Sequence, residues 1–285
     1  IVDRTGTSAM KWQKYEGRDI IPMWVADMDF KAPEPVIEAL SNRIEHGIFG
    51  YTLIADRLNT VIVERMKTLY DWHITRESIL WLPGVVCALN ACCMAFGLQN
   101  RPVMTTVPIY PPFLSAPGNS GLHLETVPLS DSNHRASLDF AAIEEKFKQG
   151  ISMFMLCSPY NPGGTLFRPD ELRELTALCR RHDVLICSDE IHADFVLDTD
   201  TCHVPTASVS ATAAERTVTL MAPSKTYNIP GLGASFAIIT DEVLRNRFKQ
   251  VLKGIVPAVN LLGLVAAEAA YTRCDPWLEQ LLTYL

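Results

Sequence analysis

Residues 151–192 read ISMFMLCSPYNPGGTLFRPDELRELTALCRRHDVLICSDEIH, and this stretch decides the fold class. It opens on a continuous apolar run, ISMFMLC, and closes on a second, VLIC, that leads into Asp189 and Glu190. Between them PDELRELTALCRRH predicts a helix with Pro169 in its first turn, where a missing N–H costs nothing. Strands that are apolar throughout, joined by a helix, imply a parallel sheet covered on both faces. The crossover between such strands is right-handed.

The same alternation continues outward. ILWL (79–82) predicts a short strand, followed by a Pro-Gly turn and a helix through Leu98. VMTTVP and LHLETVPL predict strands, residues 138–148 a helix, and TVTLMAP and ASFAIIT two more strands. Helices then dominate from Asp241 onward. Upstream, PEPVIEALSNRIEHG has Pro at its start and Gly at its end, with Val36, Ile37, Leu40 and Ile44 as an apolar stripe, which predicts a capped amphipathic helix. A second helix is expected over 53–70. The opening, 1–32, reads as an extended arm with one short strand over 20–25. The expected layout is an arm and helix at 1–49 belonging to a small domain, a large α/β domain at 50–255, and linking helices at 256–285. The closing PWLEQLLTYL is amphipathic without a helix stop signal, so further chain is expected after Leu285.

The 285 residues are 48% hydrophobic, enough for a large core, and carry a net charge of −7. No Lys/Arg run stands out, which argues against a nucleic-acid partner. The longest apolar stretch, 85–98, is interrupted by Asn90 and is too short to span a bilayer. The first residues lack a signal-peptide layout and an initiator Met. Eight cysteines form no CxxC pair and lie mostly in apolar segments, which suits reduced structural thiols in the cytoplasm better than disulfides or zinc.

Ligands of open α/β sheets bind beyond the carboxyl ends of the strands. Lys225, in TLMAPSKTYN, follows an apolar strand and stands between Ser224 and Thr226. Partial burial there lowers a lysine's pKa, and a neutral amine forms a Schiff base with an aldehyde such as pyridoxal phosphate. The plain alternative is a surface lysine at a strand end. Asp189 ends VLIC and needs a cationic partner there; a protonated pyridine nitrogen would serve, whereas solvation or helix capping would explain it without a ligand. Glu190 beside it is as readily structural as functional. Asn161 sits in a turn-forming Asn-Pro-Gly-Gly, and its amide could donate to a cofactor oxygen, as could His192. LPGVV opens a helix whose free N–H groups, at Val85 and Val86, suit a phosphate, with Ser224 adding a hydroxyl. Tyr110 could stack on a flat ring or pack on Pro111 and Pro112. Tyr51 reads as a hinge or a site residue. There is no GxGxxG after the first strand, no GxxxxGK[ST] and no HExxH.

PMWVADMDF, FGYT, LPGVV, SPYNPGG, CSDEIH and APSKTYN together resemble fold-type I pyridoxal phosphate (PLP) enzymes, in the order that family shows. The resemblance is greatest to the cystathionine β-lyase (C–S lyase) group of the MalY/PatB type, within the class I/II aminotransferase superfamily. It implies a PLP-dependent transferase fold and pyridoxal 5'-phosphate as cofactor. Lys225 would then form the covalent link to it, and Asp189 would pair with the pyridine nitrogen. Asn161 and His192 would flank the ring hydroxyl and Tyr110 would stack. The Val85 and Val86 amides with Ser224 would hold the phosphate. Tyr51 would reach the neighbouring subunit's phosphate, which implies a homodimer. The implied reaction is β-elimination from cystathionine or a cysteine S-conjugate. An aminotransferase on the same scaffold, or a non-catalytic regulatory protein that keeps the fold, are the alternatives. The chain departs from the family pattern at Gly163 and Thr165, at Tyr227 where phenylalanine is common, and at Gly233 where many aminotransferases carry arginine. No residue here takes the role of the arginine that binds the substrate carboxylate, which the family carries in a C-terminal small domain.

Overall fold

The computed structural model describes residues 2–132 and 135–285. Nine strands occur among them: β1 (Ile79–Leu82), β2 (Val103–Val107), β3 (Leu124–Pro128), β4 (Ser130–Ser132), β5 (Arg135–Ser137), β6 (Met153–Cys157), β7 (Leu185–Asp189), β8 (Thr217–Met221) and β9 (Ser235–Ile238). Seven build one sheet in the order β1-β9-β8-β7-β6-β2-β3, while β4 and β5 form a separate pair. The pairs β2/β3, β2/β6, β6/β7 and β7/β8 are parallel. Strand β9 alone runs against both of its neighbours, β8 and β1. Two reversals cancel, so β1 points the same way as the parallel strands. The sheet is mostly parallel, as 151–192 implies, and five strand ends carrying polar groups meet at one edge.

Burial follows from composition. Every residue of β6 and β8 is buried, which matches their apolar character on both faces. One face is covered by the helix Val85–Phe96, which buries Leu89, Cys92, Cys93 and Phe96 against β2, β6 and β7 residues. The helix Pro169–Arg181 buries Leu172, Leu175 and Cys179 in the same core. A second cluster joins Val36, Ile62, Met66 and Tyr271, from the helices Glu34–Glu45, Asp56–Tyr70 and Leu261–Arg273, to Phe236 and Ile238 of β9. All eight cysteines are free; Cys202 is exposed, Cys87 is half-buried and the rest are buried.

Three local expectations are corrected. No strand forms over 20–25: Pro22 lacks an N–H, no neighbouring strand pairs with the segment, and Ile21 and Met23 stand in the open. The helix expected from 53 begins at Asp56, after Ala55, and leaves Leu53 exposed. In the helix Glu34–Glu45 only Val36 is buried, and Ile44 is exposed, so the stripe is narrower than its sequence implies.

Candidate active site

Strands β8, β7 and β6 lie side by side at the centre of the sheet, and Lys225, Asp189 and Asn161 follow or end them in that order. Neighbouring strands are about 4.8 Å apart, so the register alone brings these groups to one place. Asp189 pairs across the sheet with Leu220 of β8 and Cys157 of β6. It is buried, and its Oδ1 accepts from the Ile191 N–H at 3.1 Å. Burial pushes its carboxyl up to about 7; the Ile191 N–H opposes this, Glu190 adds to it, and Lys225 opposes it. Glu190 pairs with His203 and Asp194 faces Arg65, whereas no cation among the described residues forms an ion pair with Asp189. A buried carboxylate lacking a cation is the acceptor that a protonated pyridine nitrogen would satisfy. The residues present therefore fit pyridoxal phosphate.

Lys225 sits in a single helical turn, Pro223–Thr226, entered from β8 through extended Ala222. Partial burial pulls its ammonium below the ordinary lysine range, and Asp27 and then Asp189 work against that pull. His192 directly follows Ile191, whose N–H bonds Asp189. Burial and then the Lys225 charge lower its imidazole to about 4, so it is neutral at physiological pH. Asn161 and His192 line a cavity of about 790 Å³ with Ala26, Phe195 and Arg168. Tyr110 follows β2, the next strand beyond β6, and caps the helix Pro111–Asn119; burial and then Asp189 raise its phenol pKa. Gly84 precedes the helix Val85–Phe96 with no side-chain cap, which leaves the first-turn N–H groups at Val85 and Val86 open to an anion. Val85 is buried, while Val86 and Ser224 are partly exposed. Tyr51 stands fully exposed, outside the cavity that Asn161 and His192 line.

Three of the four departures noted in the sequence have structural reasons. Gly233 adopts φ +57°, and a Cβ there would lie 3.0 Å from the Pro83 carbonyl oxygen, so any side chain there would be strained. The Tyr227 ring is fully buried and its hydroxyl donates to Asp275 Oδ1 at 3.0 Å, a bond phenylalanine lacks. A Cβ on Gly163 would press on the Tyr160 ring at 3.3 Å.

Three features escape the sequence reading. Asn228, three residues past Lys225, is left-handed at φ 54° and clasps the arm: its Oδ1 accepts from the Met28 N–H at 2.9 Å, and its Nδ2 donates to the Met28 and Phe30 carbonyls at 3.0 and 2.9 Å. Asn tolerates that backbone region, which is the one signal present in the sequence. Second, Thr226 donates to Asp194 Oδ2 at 2.7 Å; Arg65 faces Asp194 at 3.8 Å, bonds Asp275 at 2.9 Å and lies 5.0 Å from the Tyr271 ring centre. This network braces the lysine turn from beneath. Third, Glu190 is structural: His203 Nε2 meets its Oε2 at 2.7 Å, while Ser188 Oγ and the Thr206 N–H donate to Oε1 at 2.8 and 2.9 Å.

Comparison with known proteins agrees with this geometry. The family described as aminotransferase class I and II matches residues 18–279. Cystathionine beta-lyase PatB of Bacillus subtilis (strain 168) is 39% identical over 99% of this chain and 74% of its own length. The crystal structure of OvoB superposes with a TM-score of 0.97 at 43% identity, covering 100% of this chain and 75% of that one. The PLP-bound C-S lyase from Staphylococcus hominis does so with a TM-score of 0.92 at 30% identity, covering 100% and 72%. A match spanning almost all of the sequence, on a sheet of this order with these groups at its carboxyl edge, makes the chain a member of the class I and II aminotransferase family, with the fold of fold-type I PLP enzymes.

Proposed function

We propose that this chain is a PLP-dependent C–S β-lyase, cleaving cystathionine or a cysteine S-conjugate to a thiol, pyruvate and ammonia. The observation that carries the cofactor is Asp189, a buried carboxylate with no ion-pair partner among the described residues, on the strand beside the one that leads into Lys225. The lyase chemistry is supported by similarity to PatB and to the Staphylococcus hominis C-S lyase. When bound, the cofactor supplies an aldehyde for attachment and an electron sink for charge developing at the substrate Cα.

The roles of the chain's own residues follow from their placement. Lys225 would attach the cofactor, and its free amine would take the proton from the substrate Cα. Its lowered pKa leaves a larger neutral fraction to act as base. Asp189 would pair with the protonated ring nitrogen, which would give its buried carboxylate the cation it lacks among the described residues. Asn161 and neutral His192 donate to the ring hydroxyl, and Tyr110 covers the ring face. The open N–H groups at Val85 and Val86, with Ser224, hold the phosphate. Exposed Tyr51 lies among exposed Ile48, Phe49 and Leu53, a surface suited to a second copy of the chain, and it reaches the partner's phosphate in a homodimer. We assign 1–49 and 256–285 to a small domain and 50–255 to the large one. No helix among the described residues is long and apolar enough to cross a membrane, and the eight free thiols favour the cytoplasm.

The test is incubation of the PLP-loaded full chain with cystathionine, then with an amino acid plus a keto acid. Thiol and pyruvate should appear in equal amounts, and Lys225→Ala should retain no cofactor after borohydride reduction. Amino transfer to the keto acid without thiol release would replace the lyase by the aminotransferase. A cofactor-loaded chain that turns over neither substrate set would favour the regulatory reading.

A further inference from the structure

Strands β2 and β6 are parallel neighbours, and their last paired residues are Thr105 and Met155. Both strands run on beyond that pair, to Val107 and Cys157. There each bonds away from the other. The Val107 carbonyl accepts from the Leu129 N–H, just past β3, at 3.0 Å, and the Ser158 N–H donates to the Asp189 carbonyl on β7 at 2.9 Å. The seam between the turn that carries Tyr110 and the turn that carries Asn161 therefore opens at its functional end. The Tyr160 hydroxyl crosses it. It accepts from Thr106 Oγ1 at 3.1 Å and donates to the Pro108 carbonyl at 2.7 Å, close before Tyr110 in the chain. Burial pushes this phenol up to about 12, so it keeps the proton it donates. Tyr160 is itself fixed. Its ring is buried edge-on to Phe167, its N–H donates to the Thr165 carbonyl at 2.8 Å, and its carbonyl accepts from the Gly164 N–H at 2.7 Å. The next residue, Asn161, donates its N–H to Cys157 Sγ at 3.4 Å. A buried hydroxyl with donor and acceptor both in place holds its neighbours at a set spacing.

We propose that Tyr160 is a positioning residue for the cofactor site, its hydroxyl fixing the turn of Tyr110 against the turn of Asn161. A flat ring covered by Tyr110 and bonded at its edge by Asn161 needs both groups at one spacing, and the β2/β6 pairing ends before it can set that spacing. The inference rests on the proposed roles of Tyr110 and Asn161. Tyr160→Phe keeps the ring and its packing on Phe167 and removes the bridge alone, which leaves the Pro108 carbonyl without this donor.

The test is a double-mutant cycle on PLP affinity in the full chain, read by titration of the cofactor's visible absorbance. Tyr160→Phe should weaken binding about tenfold, the size of a coupling between groups in one network. In a Tyr110→Leu background the same change should cost less than about twofold, because the ring it positions is gone. Loosening of the fold alone would weaken both backgrounds equally. Effects that add therefore overturn the proposal, as does a Tyr160→Phe chain that binds PLP like wild type. Thr106→Val removes a buried hydroxyl but leaves the bond to Pro108, so affinity should shift by less than about twofold. A loss there as large as that of Tyr160→Phe also counts against the bridge. Without cofactor, hydrogen exchange read by mass spectrometry should run several-fold faster over 106–115 in Tyr160→Phe. Equal rates over that segment would show that the hydroxyl does not hold the turn. A wild-type chain that takes up no PLP would sink the proposed cofactor site, and the exchange rates would still decide whether Tyr160 fixes the turn of Tyr110.

Discussion

Substituting Asp189 by Asn should stabilise the cofactor-free protein at pH 8 and weaken the cofactor-loaded one. Asp189 is buried with no paired cation among the described residues, and its carboxyl is raised from the ordinary 3.8 to about 7. A carboxyl whose folded pKa lies above its unfolded one contributes stability that is complete below the unfolded value and is lost as pH rises through the folded value. Here the window runs from pH 3.8 to about 7. That is about three units at about 1.4 kcal/mol each, so the ionised form costs roughly 4 kcal/mol of stability above pH 7. Asn keeps an oxygen for the Ile191 N–H and carries no charge to desolvate. At pH 8 the cofactor-free variant should therefore melt roughly 10 °C above wild type, taking about 2–4 °C per kcal/mol for a chain of this size. At pH 4 the two should coincide. With PLP bound the order should reverse, since Asn cannot hold the ring-nitrogen proton. The assay is thermal unfolding by circular dichroism at several pH values, with and without PLP. A cofactor-free variant no more stable than wild type at pH 8 would refute the argument that Asp189 lacks a cationic partner.

The remaining expectations concern the frame around the lysine turn. Asn228→Ala removes all three bonds to the arm and leaves Met28 and Phe30 groups unpaired, a loss of about 2–4 kcal/mol. Limited proteolysis should then cut within 18–32 faster, with the rest of the chain unchanged; equal cutting rates would show that the clasp does not hold the arm. Tyr227→Phe loses only the hydroxyl bond to Asp275, which keeps Arg65 as a partner, so urea unfolding should report a drop of about 1 kcal/mol. A drop beyond about 3 kcal/mol would mean that the network beneath the lysine fails as a unit.

The parts of this fold legible in the sequence are those written in local pattern. Apolar runs such as MFMLC and VLIC mark strands buried on both faces, and Pro169 marks a helix start. Polar residues placed just past those runs mark the functional edge, which is why Lys225, Asp189 and Asn161 are recognisable as candidates. Direction and order are another matter. SFAI is apolar on both faces whichever way it runs, so nothing in its periodicity tells that β9 is reversed. Asn228 finds its partners 200 and 198 residues away, a distance at which no spacing rule operates. Arg65 looks like one of the solvated charges of an amphipathic helix, yet its side chain is buried against Asp194, Asp275 and Tyr271. Its role depends on helices that meet only after folding.

The single reversed strand has a bearing on how the molecule assembles during synthesis. Strand β1 is the first of the sheet to leave the ribosome, yet its only partner is β9, the last, with Leu82 opposite Ser235. The five strands β3-β2-β6-β7-β8 can pair as they emerge. The β1 edge, with Gly84 and the helix start proposed to hold the phosphate, waits unpaired while some 150 residues are made, a long loop to close late. On this order Lys225 and Asp189 should come together before the helix start at Val85 is docked.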